Sequence, residues 1–228
     1  MKPHITSRVI LKQFRIGPGD DSPVLVMDKS TKVFRERGIN HSVFLGPSNY
    51  LGNGDPGSLE NELACKDESS ILRIIEMVRN QSDMTESLPE LKFLLGNNSA
   101  RNPHFRQHPK VTEHQPLSSE SFHTSAMDIF PDQYIKHPIS IFCPKSNNNF
   151  FLLPDFSLKY MVLSPDIAII RFTEDEQSEL EKMAQEDERY FVTRLNQISY
   201  EKSHSWVVSN SAQLLESLGG IGKKNCGN

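Results

Sequence analysis

Residues 138–172 read PISIFCPKSNNNFFLLPDFSLKYMVLSPDIAIIRF, and this stretch decides the fold class. It contains four short apolar runs that Asn, Pro, Asp and Ser residues separate, namely Ile139–Phe142, Phe150–Leu153, Tyr160–Leu163 and Ile167–Phe172. Short apolar runs bounded by turn residues are typical of β-strands. The stretch therefore predicts four strands that pair in an antiparallel sheet.

Helical patterns lie on both sides of these strands. Residues 58–79 carry apolar side chains at the three- and four-residue spacing of one buried helix face, and Ser58 can cap that helix. After the strands, Thr173-Glu-Asp-Glu176 is a capping box that opens a predicted helix over about 174–198. Shorter helices are predicted over 4–15, 85–95 and 211–218.

Extended segments are also predicted elsewhere in the chain. Residues 23–27 and 32–34 are apolar runs on either side of a polar turn, which indicates a β-hairpin. Residues 206–208 are predicted to form a last strand, and 41–45 a short extended piece.

The order of helices, then strands, then helices, without clean βαβ units, predicts an α+β fold. We expect a single domain over residues 1–228, with helices packed around a small, mainly antiparallel sheet. Residues 97–137 are rich in Pro and His and form an irregular insertion or lid in this prediction. A frayed tail is predicted over 219–228.

The composition argues against several protein classes. No apolar run approaches the roughly 20 residues that span a bilayer, so no membrane is expected as a partner. Residues 1–15 lack an apolar segment, so we expect no secretory signal. The three cysteines (Cys65, Cys143 and Cys226) are odd in number and far apart, which disfavours a disulfide framework or a zinc knuckle. We therefore expect a cytoplasmic protein.

The charges are distributed unevenly along the chain. The net charge is −4, but residues 174–189 contain eight acids and two bases, whereas residues 1–37 contain eight bases and four acids. A basic N-terminal face is suited to contact with phosphate, including that of a nucleic acid. The alternative is an ordinary solvated surface of mixed charge.

Two acids stand out on the predicted helix over 58–79. At 100° per residue, Glu60 and Asp67 extend the buried stripe that Ile71 begins, and Glu68 flanks them. An inward carboxylate is costly unless it is paired, hydrogen-bonded or bound to a cation, so these acids suggest half of a metal or acid/base site. The alternative is that the first two turns protrude and leave both acids in water or paired with Arg or Lys.

Other motifs give weaker indications. His104 and His108 have the spacing of helical metal ligands, but Pro103 and Pro109 bracket them and limit any helix to one turn, which favours an exposed loop. The chain contains no Gly-x-Ser-x-Gly motif, no phosphate-cradling loop and no dinucleotide fingerprint. No nucleotide cofactor is therefore expected.

Several fragments together resemble an uncharacterised, mostly bacterial family, domain of unknown function 4238. The fragments are Pro3-His4-Ile5-Thr6 followed by Leu11-Lys-Gln-Phe14, Val24–Lys29, Leu59-Glu60 with Leu63-Ala64 and Asp67, Phe151–Ser157, Leu163-Ser164-Pro165 and Leu195-Asn196. The chain departs from the family pattern at Thr6 and Ser157, where the family has proline, and at Asp67, where Glu is usual.

The resemblance implies that five polar residues belong to one site: His4, Glu60, Asp67, Asp155 and Asn196. The second acid of the helix is either Asp67 or Glu68. The resemblance implies no reaction, because the family has no settled biochemistry.

Two functional hypotheses follow. The first is a metal-assisted phosphodiester hydrolase, a nuclease-type effector in bacterial stress or antiviral (phage) defence. In it Glu60, Asp67 and Asp155 hold a divalent Mg²⁺ or Mn²⁺, and His4 acts as general acid or base, while basic N-terminal residues hold phosphate. The second is a non-catalytic protein-interaction or regulatory module whose polar cluster only fixes the fold.

Overall fold

The computed structural model describes residues 6–45, 69–91, 94–95, 139–146, 150–155, 160–171 and 174–223, and of residues 174–177 the backbone alone. The chain divides into two compact units. One unit contains the described residues up to Val9 and those from Ser42 to Ile139, and the other contains Ile10–His41 and those from Ser140 onward.

The first unit contains the helix α2, residues 69–79. Its buried residues Ile71, Ile74 and Ile75 follow the helical spacing, which confirms the predicted helix over this part; residues 58–68 lie outside the described residues. The guanidinium of Arg73 forms an ion pair with the carboxylate of Glu90.

A second helical segment follows in the same unit. A 3₁₀ turn, Thr85–Ser87, leads into helical residues 88–91 and 94–95, which confirms the predicted helix over these residues; residues 92–93 lie outside the described residues. The Asp83 carboxylate accepts hydrogen bonds from the N–H of Thr85 (2.9 Å) and from its hydroxyl (2.7 Å), and these bonds hold the pKa of Asp83 below its usual value.

The extended piece predicted over 41–45 is wrong at residues 42–44. They form a 3₁₀ helix, Ser42–Phe44, where an extended piece was expected. The N–H of Leu45 donates to the carbonyl of Ser42 (3.1 Å), which tightens the chain into a turn and buries Phe44 completely.

The second unit begins with the end of the short helix α1 (Arg8–Gln13) and the predicted hairpin, β1 (Val24–Asp28) and β2 (Val33–Arg37). The Asp28 carboxylate closes the hairpin turn by accepting bonds from the Ser30 hydroxyl (2.6 Å) and the Thr31 N–H (2.9 Å).

This hairpin lies inside a five-stranded sheet of order β4-β7-β1-β2-β8. The other strands are β4 (Leu153–Pro154), β7 (Trp206–Ser209) and β8 (Ile221–Gly222). The pairings are antiparallel except that β8 runs parallel to β2. The tail predicted to fray from 219 is therefore ordered at its start, because β8 gains backbone hydrogen bonds from β2; residues 224–228 lie outside the described residues.

A three-stranded sheet of order β3-β6-β5 completes the β structure, with β3 (Ile139–Phe142), β5 (Tyr160–Ser164) and β6 (Ile167–Arg171). Every residue of β5 and β6 is buried. The prediction that all four apolar runs share one sheet is thus wrong, because the run at 150–153 contributes only its last residue to a strand and that strand pairs with β7.

The predicted helix over 174–198 is two helices, α3 (Glu174–Glu186) and α4 (Glu188–Lys202). Asp187 breaks it with a non-helical backbone (φ −148°, ψ 87°), and its carboxylate caps α4 by accepting from the N–H of Tyr190 (2.9 Å).

The helix α5 (Ala212–Ser217), which Ser211 caps, confirms the last predicted helix. Together with the Tyr200 side chain, α5 covers one face of the five-stranded sheet over a core of Leu25, Met27, Phe34, Leu152, Val207 and Leu215. The mainly antiparallel sheets and the separate helices confirm the α+β class. Among the described residues, no helix is both long and apolar enough to cross a membrane.

Candidate functional site

Asp155 directly follows β4 and is only 9% exposed. Its carboxylate accepts hydrogen bonds from three successive backbone N–H groups: Oδ1 from His204 (2.8 Å), and Oδ2 from Ser205 (2.6 Å) and Trp206 (3.3 Å). The N–H of Asp155 in turn donates to the carbonyl of Trp206 (3.2 Å). Asp155 therefore fixes the connection between α4 and β7.

Lys29 binds carbonyl groups at the same connection between α4 and β7. Its ammonium Nζ donates to the carbonyl oxygens of Glu201 (3.2 Å) and Ser203, and it lies 5.0 Å from the centre of the Tyr200 ring. Burial lowers the pKa of Lys29, while the carboxylates of Asp155 and Glu201 act in the opposite direction. The positive charge of Lys29 thus stabilises the C-terminus of α4.

Asn196 is a buried residue of α4. Its side-chain amide binds backbone groups of the residues before β4, as a neighbouring strand would. Its Oδ1 accepts from the N–H of Leu152 (2.8 Å), and its Nδ2 donates to the carbonyl of Phe150 (2.7 Å). The amide satisfies two backbone groups on either side of Phe151, which explains why this apolar run is ordered without being a strand.

Glu188, in the first turn of α4, has a similar role that sequence reasoning did not find. Its carboxylate oxygens accept from the N–H groups of Lys145 (2.7 Å) and Ser146 (3.1 Å). Glu188 and Asn196 are eight residues apart, or about 12 Å along the helix axis, and they bind residues 145–146 and 150–152, respectively, to α4. In the sequence Glu188 is one of many acids in a charged run, and the only signal that could have identified it is its position directly after Asp187, a residue type common at helix N-caps.

The two candidate site residues that the structure describes have a structural role in common. Asp155 and Asn196 lie near the two ends of the segment 150–155, and each binds main-chain groups. Among the residues that the structure describes, no group of three His, Cys, Asp or Glu side chains is placed to hold a metal ion.

The remaining candidates His4, Glu60, Asp67 and Glu68 lie outside the described residues, as do His104 and His108. Their convergence with Asp155 and Asn196 stays a prediction.

The basic residues of the N-terminal region have different roles. Arg15 forms an ion pair with Asp20 (2.8 Å) and also donates to the carbonyl of Gly19 (3.0 Å). Lys29 is engaged at the end of α4, whereas Arg35 is exposed and Arg37 half-exposed on β2. The exposed charges available for a partner therefore include Arg35 of β2, together with Arg8 and Lys32.

Comparison of the chain with family models, curated proteins and solved structures finds no match. The resemblance to domain of unknown function 4238 accordingly stays a prediction from the short motifs.

Proposed function

We propose that the chain is a non-catalytic interaction module whose buried polar residues fix the fold. The observation that carries this proposal is the set of three backbone N–H groups bound to the Asp155 carboxylate. A metal ligand or a general base must direct an oxygen lone pair at a substrate or ion, whereas three hydrogen bonds direct the oxygens of this carboxylate at backbone N–H groups of its own chain.

Asn196 supports the same proposal. Its amide oxygen and nitrogen each bind a backbone group, and the residue is 3% exposed. A cytoplasmic location, which the odd number of cysteines favours, belongs to this proposal.

The metal-dependent hydrolase stays the competing prediction, because Glu60, Asp67 and His4 lie outside the described residues. In that mechanism the Asp155 carboxylate would bind Mg²⁺ or Mn²⁺ in addition to, or in place of, its bonds to the connection between α4 and β7.

The variant Asp155→Asn separates the two functions. In an interaction module it lowers the free energy of unfolding by about 1–3 kcal/mol, because an amide NH₂ replaces an oxygen that accepts from a backbone N–H. In a metal-dependent hydrolase relief of the repulsion between clustered carboxylates offsets that loss when no cation is bound, so the variant keeps or gains stability.

Melting curves with and without Mg²⁺ or Mn²⁺ give the second readout. An interaction module melts at the same temperature in both conditions, whereas a native metal site gains stability with metal concentration. The matched control is Asp21→Asn, since Asp21 is exposed and none of the hydrogen bonds of the described residues involves its side chain. Stabilisation of the wild type by metal, together with a stable Asp155→Asn, would contradict the proposal.

A further inference from the structure

The short strand β8 forms one edge of the five-stranded sheet. The N–H of Ile221 donates to the carbonyl of Lys32 (2.8 Å), and the N–H of Lys223 donates to the carbonyl of Phe34 (3.1 Å). Since successive residues of a strand direct their backbone groups to alternate sides, the N–H and C=O of Gly222 point away from β2. Among the described residues no strand pairs with this outer side.

The register of β2 and β8 brings cations together. Val33 pairs with Ile221 and Phe34 with Gly222, so continuing the register by one residue places Arg35 beside Lys223. Alternation puts both cations on the sheet face that carries Ile221, and Arg37 lies on that face two residues beyond Arg35. We call Arg35, Arg37, Ile221 and Lys223 the basic edge.

The residues that the structure describes supply little negative charge to the basic edge. None of the ion pairs of the described residues includes Arg35, Arg37 or Lys223. Glu36 projects to the opposite face by alternation, and the carboxylate of Asp28 is bound in the hairpin turn. Like charges on neighbouring strands repel, so an anionic ligand at this edge relieves a repulsion that the fold itself imposes.

We propose that the basic edge binds an extended acidic peptide segment of a protein partner, which lies beside β8 as a further strand. The proposal rests on the function proposed above, an interaction module, and names its surface and the chemistry of its partner. Main-chain hydrogen bonds to an exposed strand edge are an established mode of peptide recognition, with alternate side chains providing specificity.

Ile221 determines the choice of a peptide over a nucleic acid. Ile221 is 62% exposed and lies at one end of the row of cations, where it offers an apolar contact. The basic edge contains no aromatic side chain on which a base can stack, since Phe34 is buried on the opposite face. A peptide with acidic residues and one apolar residue on the same face complements all of these groups.

The test measures binding of fluorescein-labelled peptides to the full chain by fluorescence anisotropy. The probe is Thr-Val-Thr-Glu-Thr-Glu-Thr, and its reversed sequence is included because a strand can be added in either direction. One control peptide carries Lys in place of both Glu residues, and another carries Ser in place of Val. We expect one orientation of the probe to bind, the Lys peptide to bind at least about tenfold more weakly, and affinity to fall with added salt.

Variants locate the binding surface. Arg35→Gln with Lys223→Gln should raise the Kd about tenfold, and Ile221→Ser should raise it by a smaller factor. The matched control, Arg194→Gln with Lys202→Gln, removes the same charges from exposed positions of α4 and should leave the Kd unchanged. Melting curves establish that each variant is folded.

Three results would overturn the inference. Equal binding by the Arg35→Gln, Lys223→Gln variant would place the peptide elsewhere, and binding of a DNA duplex or single strand in place of both peptides would assign the basic edge to nucleic acid. Salt-sensitive self-association in sedimentation experiments, lost in the same variant, would assign it to a second copy of the chain. None of these results changes the response of Asp155→Asn to metal, so the inference and the proposed function fail separately.

Discussion

Lys29 and Asp155 hold the same connection between α4 and β7, Lys29 through carbonyl groups and Asp155 through N–H groups. Two oppositely charged side chains thus bind the two kinds of backbone polar group, carbonyl and N–H, in one short stretch of the chain. Because each charge has main-chain partners, the loss of either leaves polar groups unsatisfied in a partly buried place.

The variant Lys29→Met should lower the free energy of unfolding by about 1–2 kcal/mol. Methionine keeps an unbranched side chain beside Tyr200 but removes the donor to the carbonyls of Glu201 and Ser203. Urea denaturation measures the loss, and Lys32→Met, at an exposed position, provides the control. Equal stability of the two variants would show that Lys29 does not stabilise the end of α4.

The variant Asn196→Asp should cost about 1–3 kcal/mol, because a carboxylate oxygen then faces the carbonyl of Phe150 in place of an NH₂ donor. Gln197→Glu makes the same amide-to-acid change at the next, exposed position of α4 and should be nearly neutral. Hydrogen exchange at Leu152 gives a local readout, and protection there should fall in Asn196→Asp alone. Unchanged protection would contradict the role given to Asn196.

His41 should make stability depend on pH. Burial and the Arg37 guanidinium lower the pKa of its imidazole below the usual 6.5. Between the lowered pKa and 6.5 the unfolded chain binds more protons than the folded chain, so stability rises with pH through this window and falls as acid is added. Urea denaturation should therefore show a smaller loss from pH 7 to pH 5 in His41→Asn than in the wild type.

The charge of Arg37 can be tested in the same titration. In NMR experiments Arg37→Gln should move the His41 pKa up toward its usual value, and the control Arg194→Gln should leave it in place. If the pKa of His41 is the same in Arg37→Gln and in the wild type, burial alone accounts for the shift.

Asp187→Ala should lower the free energy of unfolding by about 1 kcal/mol, because it removes the side chain that caps α4. Asp187→Ser restores an N-cap and should recover most of the loss. Circular dichroism distinguishes a lost cap from a fused helix, since continuous helix through 187 would raise the helical signal. A stable Asp187→Ala with more helix would mean that the break between α3 and α4 has another cause.

Local patterns in the sequence predicted most individual elements. The hairpin β1–β2 and the strands β3, β5 and β6 were predictable because each apolar run ends at turn residues within a few positions. The break at Asp187 was missed although Asp is a common N-cap, because the flanking residues are good helix formers and favour one continuous helix.

Long-range partners were not predictable in the same way. Leu153 pairs with Val208 and not with β5. This pairing depends on residues far apart in the chain, so no local sequence pattern predicts it. The resemblance selected Asp155 and Asn196 as polar residues with a special role, but it did not indicate that their partners are backbone groups. Glu188 and Lys29 were missed because a charged residue with main-chain partners looks, in sequence, like any surface charge.

The strand order has a consequence for synthesis on the ribosome. The hairpin β1–β2 emerges early, yet its neighbours in the sheet, β7 and β8, belong to the last part of the described chain. While most of the chain is being translated, both edges of the hairpin lack their final partners, and unpaired strand edges are prone to pair with other chains. The nascent protein should therefore depend on chaperones until the segment carrying β7 leaves the exit tunnel.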